Sequence, residues 1–429
     1  MKQVDLAHEV VAGRKADYLI IGGGVAGTTA AEFIRMQDSS GSVVIVMEEP
    51  EILYSRVMLP HYLRDQIPFE RLYLRKPEQY KEKNIELLTG LRVDKISTQS
   101  NNIYLSNGEE LQYKKLLIAS GGKVTRLPIP GGDLKGVTYL RTVANVKEVK
   151  DLMGKAKEGV VIGGGFIGIE YSQSFIKAGI KTTCIIREPY FWSSVVGENS
   201  GKLIGKILEK NGVNIISQAQ VTEFVGDVAL SGVKLDKAQE IPAQIAGVGV
   251  GIHMDLDHLK DSGLKINKGV VTNEYLETET QDVWAAGDIA EFKDVIFGKY
   301  HQMGNWSNAA AQGKVVGPNM TAGWGSSVTS REQFTTVSAY TISIFDVPFA
   351  FMGDPVPDEK TELIERGSVQ EGKLGRLHVK EGVLVGASMI NLSQDRNAVS
   401  ELIKKRVKIT ASKEKLSDTN YNLNSLLPS

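Results

Sequence analysis

Two stretches of this chain, residues 17–28 and 159–170, repeat the same order of residue types. Each opens with an apolar, largely β-branched run, passes through clustered glycines and enters a helix-like stretch. Another apolar run follows each helix, at residues 43–47 and 182–186. The order strand, glycine turn, helix and strand, found twice, predicts two doubly wound α/β units with parallel sheets.

The first glycine cluster matches the dinucleotide fingerprint G-x-G-x-x-G through Gly22, Gly24 and Gly27. The first glycine allows a tight turn, the second lets a pyrophosphate approach the backbone, and the third lets the helix pack against the strand. Glu48 follows the next strand, where a carboxylate binds the ribose hydroxyls of a dinucleotide. A surface carboxylate beside Glu49 is the alternative interpretation of Glu48.

The second cluster repeats the same spacing with Gly163, Gly165 and Gly168. Here we expect the apolar Ile186 at the position of the ribose carboxylate, with Arg187 and Glu188 directly after it. Glu188 could bind a 2′-hydroxyl, which favours NADH, and Arg187 could bind a 2′-phosphate, which favours NADPH. Both could equally be solvated loop charges, so this pattern leaves the choice of nucleotide open.

Composition restricts the reactions and partners that we expect for this chain. The chain has 429 residues, a formal net charge of −1 and one cysteine, Cys184, so an internal disulfide or a Cys-x-x-Cys pair is excluded. Its position inside a predicted strand indicates a buried structural thiol. The near-neutral charge gives no support to nucleic acid as a partner, and residues 1–14 lack the apolar core of a signal peptide. We therefore expect a cytoplasmic protein without a membrane span.

The motif order predicts an α/β fold in which one Rossmann-like dinucleotide-binding domain is interrupted by a second, with a small C-terminal α+β domain. The predicted segments are residues 1–127 and 251–328 for the first domain, 128–250 for the inserted domain, and 329–429 for the C-terminal domain. Length alone favours several domains, because one core rarely serves more than about 250–300 residues.

With both fingerprints placed, the chain resembles the FAD-dependent pyridine nucleotide-disulfide oxidoreductase superfamily. This resemblance implies that the first domain is a Rossmann-like FAD domain and the inserted one a Rossmann-like NAD(P) domain. A late motif over residues 278–288 resembles that superfamily's last flavin motif, which implies that Gly287 and Asp288 bind FAD, the aspartate at the ribityl chain. The resemblance further implies contacts from Val93 to adenine and from the crossover residues Ala119, Ser120 and Gly121 to the flavin. It also places Gly249, in the second crossover, near the nicotinamide.

Residues 53–63 resemble the Tyr-x-Arg-x-x-Leu stretch of rubredoxin- and ferredoxin-reductase-like proteins and of nitrite reductase flavin domains. This likeness implies that Arg56 contacts FAD. Disulfide-reducing relatives carry a redox cysteine in this region, where Val57 and Met58 stand here. The resemblance also implies that Glu170 is the catalytic-site acid near the nicotinamide and the flavin; a first-turn helix carboxylate is the alternative. The helix predicted over residues 305–314 would direct its N-terminus at the flavin pyrimidine.

The resulting hypothesis is a flavoprotein oxidoreductase with FAD and NAD(P)H as cofactors, in which hydride passes from nicotinamide C4 to flavin N5. Electrons would then go to a small carrier such as rubredoxin or ferredoxin. An NAD(P)H oxidase that reduces dioxygen or a quinone-like molecule, and a flavin/NAD(H) redox-sensing module, are the alternatives. A lysine- and arginine-rich run over residues 404–415 could dock an acidic carrier or be a solvated helix face. The scattered histidines predict no metal, and residues 341–351 could form a homodimer interface or cover the flavin.

Overall fold

The protein is described from a computed structural model that covers residues 13–322, 330–354 and 356–428. The α-helices in these residues are α1 (Val25–Gln37), α2 (Leu59–Leu63), α3 (Pro77–Glu82), α4 (Val143–Met153), α5 (Phe166–Lys177), α6 (Glu198–Lys210), α7 (Trp306–Thr321), α8 (Arg396–Lys404) and α9 (Lys413–Ser417).

The strands of the first half are β1 (Arg14–Ile21), β2 (Val43–Met47), β3 (Ile85–Thr89), β4 (Val93–Ser97), β5 (Asn102–Leu105), β6 (Glu110–Ile118), β7 (Lys123–Val124), β8 (Val137–Thr138), β9 (Glu158–Ile162), β10 (Lys181–Ile185), β11 (Asn214–Ile216) and β12 (Val221–Gly226). Those of the second half are β13 (Leu230–Leu235), β14 (Glu240–Pro242), β15 (Ile245–Val248), β16 (Ile252–His253), β17 (Val270–Thr272), β18 (Val283–Ala285), β19 (Ala290–Asp294), β20 (Lys299–Gln302), β21 (Ala339–Ile344), β22 (Val347–Gly353), β23 (Glu362–Ser368), β24 (Lys373–Lys380) and β25 (Val383–Ile390).

The chain forms two compact units, and the first comprises the described residues of 1–54, 73–122 and 254–335. Its main sheet has the order β3-β2-β1-β6-β5-β4, and β18 also pairs with β6. The strands β3, β2, β1, β6 and β18 run parallel, while β5 and β4 continue the sheet in antiparallel pairs. A turn over residues 106–109 joins β5 to β6.

Helix α1 packs closely against α7 in this first unit. A Cβ on Gly313 would lie 2.5 Å from the carbonyl oxygen of Ala26, and one on Gly317 would lie 2.7 Å from that of Ala30. Two glycines four residues apart therefore let the backbones of α1 and α7 approach each other. This packing fixes the position of α1, whose N-terminus carries the first fingerprint.

The second unit comprises the described residues of 55–72, 123–253 and 336–429. It contains a parallel sheet of order β11-β10-β9-β15-β8, an antiparallel sheet β12-β13-β14, and an antiparallel sheet β21-β22-β25-β24-β23. Helix α8 buries Ala398, Val399, Leu402 and Ile403 and packs on the last sheet. Arg366 in β23 donates to both carboxylate oxygens of Asp395, at 2.8 and 3.2 Å, and anchors the turn before α8.

These sheets confirm the predicted fold class: two Rossmann-like α/β sheets and a small C-terminal α+β part. The four predicted domain segments remain predictions, and the boundary between residues 328 and 329 lies outside the described residues. Within the described part of the chain, no helix has the length and apolar character needed to cross a bilayer.

Candidate dinucleotide-binding sites

The first fingerprint lies at the carboxyl edge of the parallel sheet in the first unit. Ile21 at the end of β1 pairs with Val46 in β2 and with Ile118 in β6, and Ile118 pairs with Ala285 in β18. The residues that follow these strands are therefore neighbours at one edge. In open α/β sheets this edge is where ligands bind.

Glycine is required by the geometry of this turn. Gly22 has φ +104°, and a Cβ there would lie 2.3 Å from the carbonyl oxygen of Ala119. A Cβ on Gly27 would lie 2.0 Å from the carbonyl oxygen of Gly22. By contrast, a Cβ on Gly24 would meet no protein atom within 4 Å, so it would project into open space. The structure thus leaves room at Gly24 for a group outside the chain.

The N-terminus of α1 is shaped for an anion. Its N-cap is Gly24, which provides no side-chain hydrogen bond, and its first turn carries no acidic residue. Elsewhere, Thr142 caps α4 by accepting from Asn145 N, and Asn305 caps α7 by accepting from Asn308 N at 2.7 Å. The free N–H groups and the positive end of the dipole at α1 suit a pyrophosphate, so the residues present fit FAD.

The other residues predicted to bind FAD differ in how close they lie to this edge of the sheet. Glu48 is exposed and follows β2 directly, and Ala119 follows β6 with its N–H donated to Ile21 O at 2.8 Å. Ser120 and Gly121 come next, Gly121 with φ +69°. Val93 is buried at the start of β4 on the other side of the sheet order, beyond β6 and β5.

Gly287 and Asp288 follow β18, and Gly287 has φ +81°. The backbone N–H of Gly287 donates to Oε1 of Gln312 at 2.6 Å, and Gln312 is fully buried in α7. Sequence reasoning missed Gln312, which holds the turn that carries Asp288. The signal for Gln312 in the sequence is a polar residue within the helix predicted to follow the motif.

The second fingerprint repeats this geometry in the second unit. Gly163 has φ +104°, its N–H donates to Ile185 O at 2.9 Å, and a Cβ there would lie 2.5 Å from Gly249 O. A Cβ on Gly168 would lie 1.8 Å from Gly163 O, whereas the nearest atom to one on Gly165 is 3.8 Å away. Helix α5 also has a glycine N-cap and no acid in its first turn. These residues fit a second dinucleotide.

The strand register corrects the expectation for Ile186. Ile21 pairs with Val46 in the first unit and Ile162 pairs with Ile185 in the second, so Ile186 corresponds to Met47. The position equivalent to Glu48 is therefore held by Arg187. Ile186 is buried, because strand β10 ends one residue earlier than the apolar run suggested.

Arg187 and Glu188 lie at the surface of the second unit. Their charged atoms are 3.9 Å apart, and the Arg187 side chain is 74% exposed. Such an exposed pair contributes little to stability. Both side chains are thus available for contacts with a nucleotide ribose or its phosphate.

The predicted acid Glu170 lies in the first half of α5 and is paired with Arg64, which follows α2. Nη1 of Arg64 donates to Oε2 of Glu170, and only 9% and 14% of the two side chains are exposed. Arg56 lies on the same segment as Arg64, and its Nη1 donates to Arg141 O at 2.6 Å. Its predicted contact with FAD stays a prediction. Arg64 was missed because 106 residues separate it from Glu170.

Cys184 is fully buried in β10, as predicted for a structural thiol. Burial raises the pKa of its thiol to about 12. Since only the thiolate attacks a disulfide, the chain's one cysteine is unsuited to thiol exchange near neutral pH.

Comparison with known proteins identifies the family. Residues 16–313 match the model of the pyridine nucleotide-disulphide oxidoreductase family. The chain belongs to this family. Members of the pyridine nucleotide-disulphide oxidoreductase family use FAD and NAD(P)H, which confirms the predicted cofactors and the oxidoreductase class.

Relatives that are named for an enzymatic activity align with nearly the whole chain. Nitrite reductase [NAD(P)H] of Bacillus subtilis (strain 168) is 25% identical over 398 residues, which are 92% of this chain and 48% of the relative. The chain thus spans about half the length of that relative. The ferredoxin–NAD(+) reductase component of the biphenyl dioxygenase system of Paraburkholderia xenovorans (strain LB400) is 25% identical, over 95% of this chain and 97% of that one.

The crystal structure of the ferredoxin reductase for the CYP199A2 system from Rhodopseudomonas palustris superposes with a TM-score of 0.86. It is 23% identical, and the match covers 95% of this chain and 99% of that one. This likeness supports the fold described above.

Proposed function

We propose that this chain is an NAD(P)H-dependent reductase that passes electrons through FAD to a small iron–sulfur or rubredoxin-type carrier protein. The observation that carries the proposal is the pair of equivalent fingerprint edges, each with an open glycine and an uncapped helix. Relatives named as ferredoxin–NAD(+) and rubredoxin–NAD(+) reductases support the carrier as acceptor.

We assign FAD to the first edge and the nicotinamide nucleotide to the second. The residues proposed to hold FAD are Gly22, Gly24, Gly27, Glu48, Arg56, Val93, Ala119, Ser120, Gly121, Gly287 and Asp288. Those proposed to hold NAD(P)H are Gly163, Gly165, Gly168, Arg187, Glu188 and Gly249. The glycines admit the phosphates, and the helix N-termini of α1 and α5 stabilise their negative charge.

When bound, the two cofactors supply hydride transfer from nicotinamide C4 to flavin N5 and the release of single electrons. The role of the protein is to hold the two cofactors, to exclude water and to fix their orientation. We propose that Glu170 orients the nicotinamide by accepting a hydrogen bond from its carboxamide. Its ion pair with Arg64 holds the carboxylate in one rotamer, because a charge-assisted bond to a mostly buried guanidinium is strong and directional.

The basic run Lys404, Lys405, Arg406, Lys408, Lys413 and Lys415 is a candidate docking surface for an acidic carrier. Lys405 already pairs with Glu401 at 3.4 Å and Lys413 with Glu362 at 2.7 Å. Only part of its charge is thus left for a partner. Docking through this run would make the rate of carrier reduction fall with salt, since exposed charges are screened.

Stopped-flow absorbance tests the proposal. NADH or NADPH should bleach the flavin of the FAD-loaded protein without oxygen. A [2Fe–2S] ferredoxin or a rubredoxin should then reoxidise it faster than air-saturated buffer does. Faster reoxidation by air or by a quinone would favour the oxidase alternative. A flavin that neither nucleotide bleaches would leave only the redox-sensing module.

A further inference from the structure

The second unit contains a cavity of about 320 Å³ whose wall includes Glu170, the acid proposed above to orient the nicotinamide. This volume is at the lower end of the range for small-molecule pockets, roughly 300–1,000 Å³. One part of its wall is apolar and is formed by Ile342, Pro348, Phe349, Met389 and Leu392. Another part is polar and is formed by His61, Arg64, Glu170, Ser343, Ser393 and Arg396.

The charged side chains of this cavity carry an excess of positive charge. Glu170 is the one acid among the lining residues, and Arg64 already pairs with it. Arg396 is then left as a cation in the wall. The neighbouring Asp395 does not neutralise it, because both oxygens of that carboxylate accept hydrogen bonds from the buried Arg366.

Arg396 also has an unused donor. Its Nε is buried and has no hydrogen-bond partner among the described residues. A buried donor without an acceptor is unfavourable, so an acceptor supplied from outside the chain would be favoured. Arg396 is the first residue of α8, where the helix dipole adds to the attraction for a negative group.

We propose that this cavity binds a small carboxylate that carries an apolar ring. The carboxylate pairs with Arg396, with Ser393 as a further donor, and the ring lies against Phe349, Ile342 and Met389. A flat ring fits an apolar wall of this kind, and a guanidinium binds a carboxylate by two parallel hydrogen bonds. The site shares Glu170 with the proposed nicotinamide contact, whereas Arg396, which pairs with the carboxylate, has no part in the proposed nucleotide binding.

Calorimetric titration of the FAD-loaded protein with 2-naphthoate tests this assignment, and 2-naphthamide is the neutral probe of matched shape. Naphthoate should bind at least about tenfold more tightly than naphthamide, since a charged pair is worth more than a neutral contact. Arg396→Gln should remove this preference. Lys404→Gln makes the same charge change at an exposed position of the same helix and should leave it intact.

Ser343→Trp provides a second, steric test, because an indole at this exposed cavity residue should block both probes. Melting temperatures of all variants show whether each one folds. Equal binding of naphthoate and naphthamide, or unchanged naphthoate affinity in Arg396→Gln, would overturn the proposal. So would the absence of naphthoate binding to the unmodified protein at millimolar concentration. No nucleotide or carrier is needed, so this result is independent of the proposed reductase activity.

Discussion

In the first fingerprint, Gly22 N–H donates to Val46 O at 2.8 Å, and in the second, Gly163 N–H donates to Ile185 O at 2.9 Å. Both turn glycines have φ +104°. The two copies differ beyond the turn: Glu48 corresponds to Arg187, and Thr29 on α1 corresponds to Glu170 on α5. We propose that the glycines provide a common phosphate cradle and that the neighbouring side chains distinguish the two ligands.

The largest effects are expected from substitutions that add a side chain to either glycine turn. Gly27→Ala and Gly168→Ala would each place a Cβ within about 2 Å of a backbone oxygen. We expect Gly27→Ala to be isolated with little FAD. We expect Gly168→Ala to keep FAD but to lose reduction by NAD(P)H. Overpacking of this kind costs roughly 1–3 kcal/mol, which corresponds to about tenfold or more in binding.

Absorbance near the flavin band and anaerobic stopped-flow measure these two losses. Gly154→Ala is the matched control, because its Cβ would meet only ordinary contacts at 3.5 Å or more. If both fingerprint variants lost FAD equally, the assignment of different ligands to the two edges would be wrong.

The next largest effect is expected at Glu170, the acid that stands in the second fingerprint helix where the first has Thr29. Arg64→Met leaves Glu170 buried without its partner, and breaking a buried pair costs about 3–5 kcal/mol. The double variant Arg64→Met/Glu170→Gln should recover part of this stability. Chemical denaturation of these two variants, of the single variant Glu170→Gln and of the unmodified protein gives the coupling free energy. Additive losses would show that the pair contributes nothing.

A smaller effect is expected at the position where Arg187 replaces the equivalent of Glu48. Arg187→Glu should shift the ratio of kcat/KM for NADH to that for NADPH towards NADH by about tenfold, because it removes the guanidinium that we propose binds a 2′-phosphate. Glu188→Gln should shift the ratio in the opposite direction. Lys181→Gln, at the start of the strand that precedes Arg187 and similarly exposed, serves as the control for loss of charge. Unchanged ratios in both variants would mean that neither side chain contacts the ribose.

The smallest effect is expected at Cys184. With the pKa of its thiol raised to about 12, only ~10⁻⁴ of it is thiolate at pH 8. The folded protein should therefore react with a thiol reagent only after denaturant is added. Cys184→Ala should keep NAD(P)H-dependent flavin reduction within about twofold, because no thiolate takes part. A loss of turnover without a loss of melting temperature would contradict a purely structural role.

The features predicted correctly from the sequence are those that the spacing of neighbouring residues determines. Gly22, Gly24 and Gly27 lie within six residues, so the turn and the start of α1 follow from neighbouring positions. Arg187 was placed one residue late relative to Glu48, because the end of an apolar run does not fix where a strand stops pairing. The register of β9 with β10 settles that point.

Long-range contacts gave no comparable signal. The pairing of Arg64 with Glu170 joins residues far apart in the chain, and nothing near Arg64 indicates an acid partner. Likewise, the cavity beside Arg396 is formed by four separate segments, which only the folded chain brings together. The prediction was therefore strongest for the backbone cradles and weakest for the side chains that act around them.

Anaerobic titration of Gly168→Ala with NADH and with NADPH tests the central claim, that each fingerprint holds a different dinucleotide. We predict a normal flavin spectrum, no bleaching by either nucleotide, and full bleaching by dithionite. Bleaching by a nucleotide at the rate seen in the unmodified protein would contradict the claim, because the second fingerprint would then not be the site that delivers the hydride.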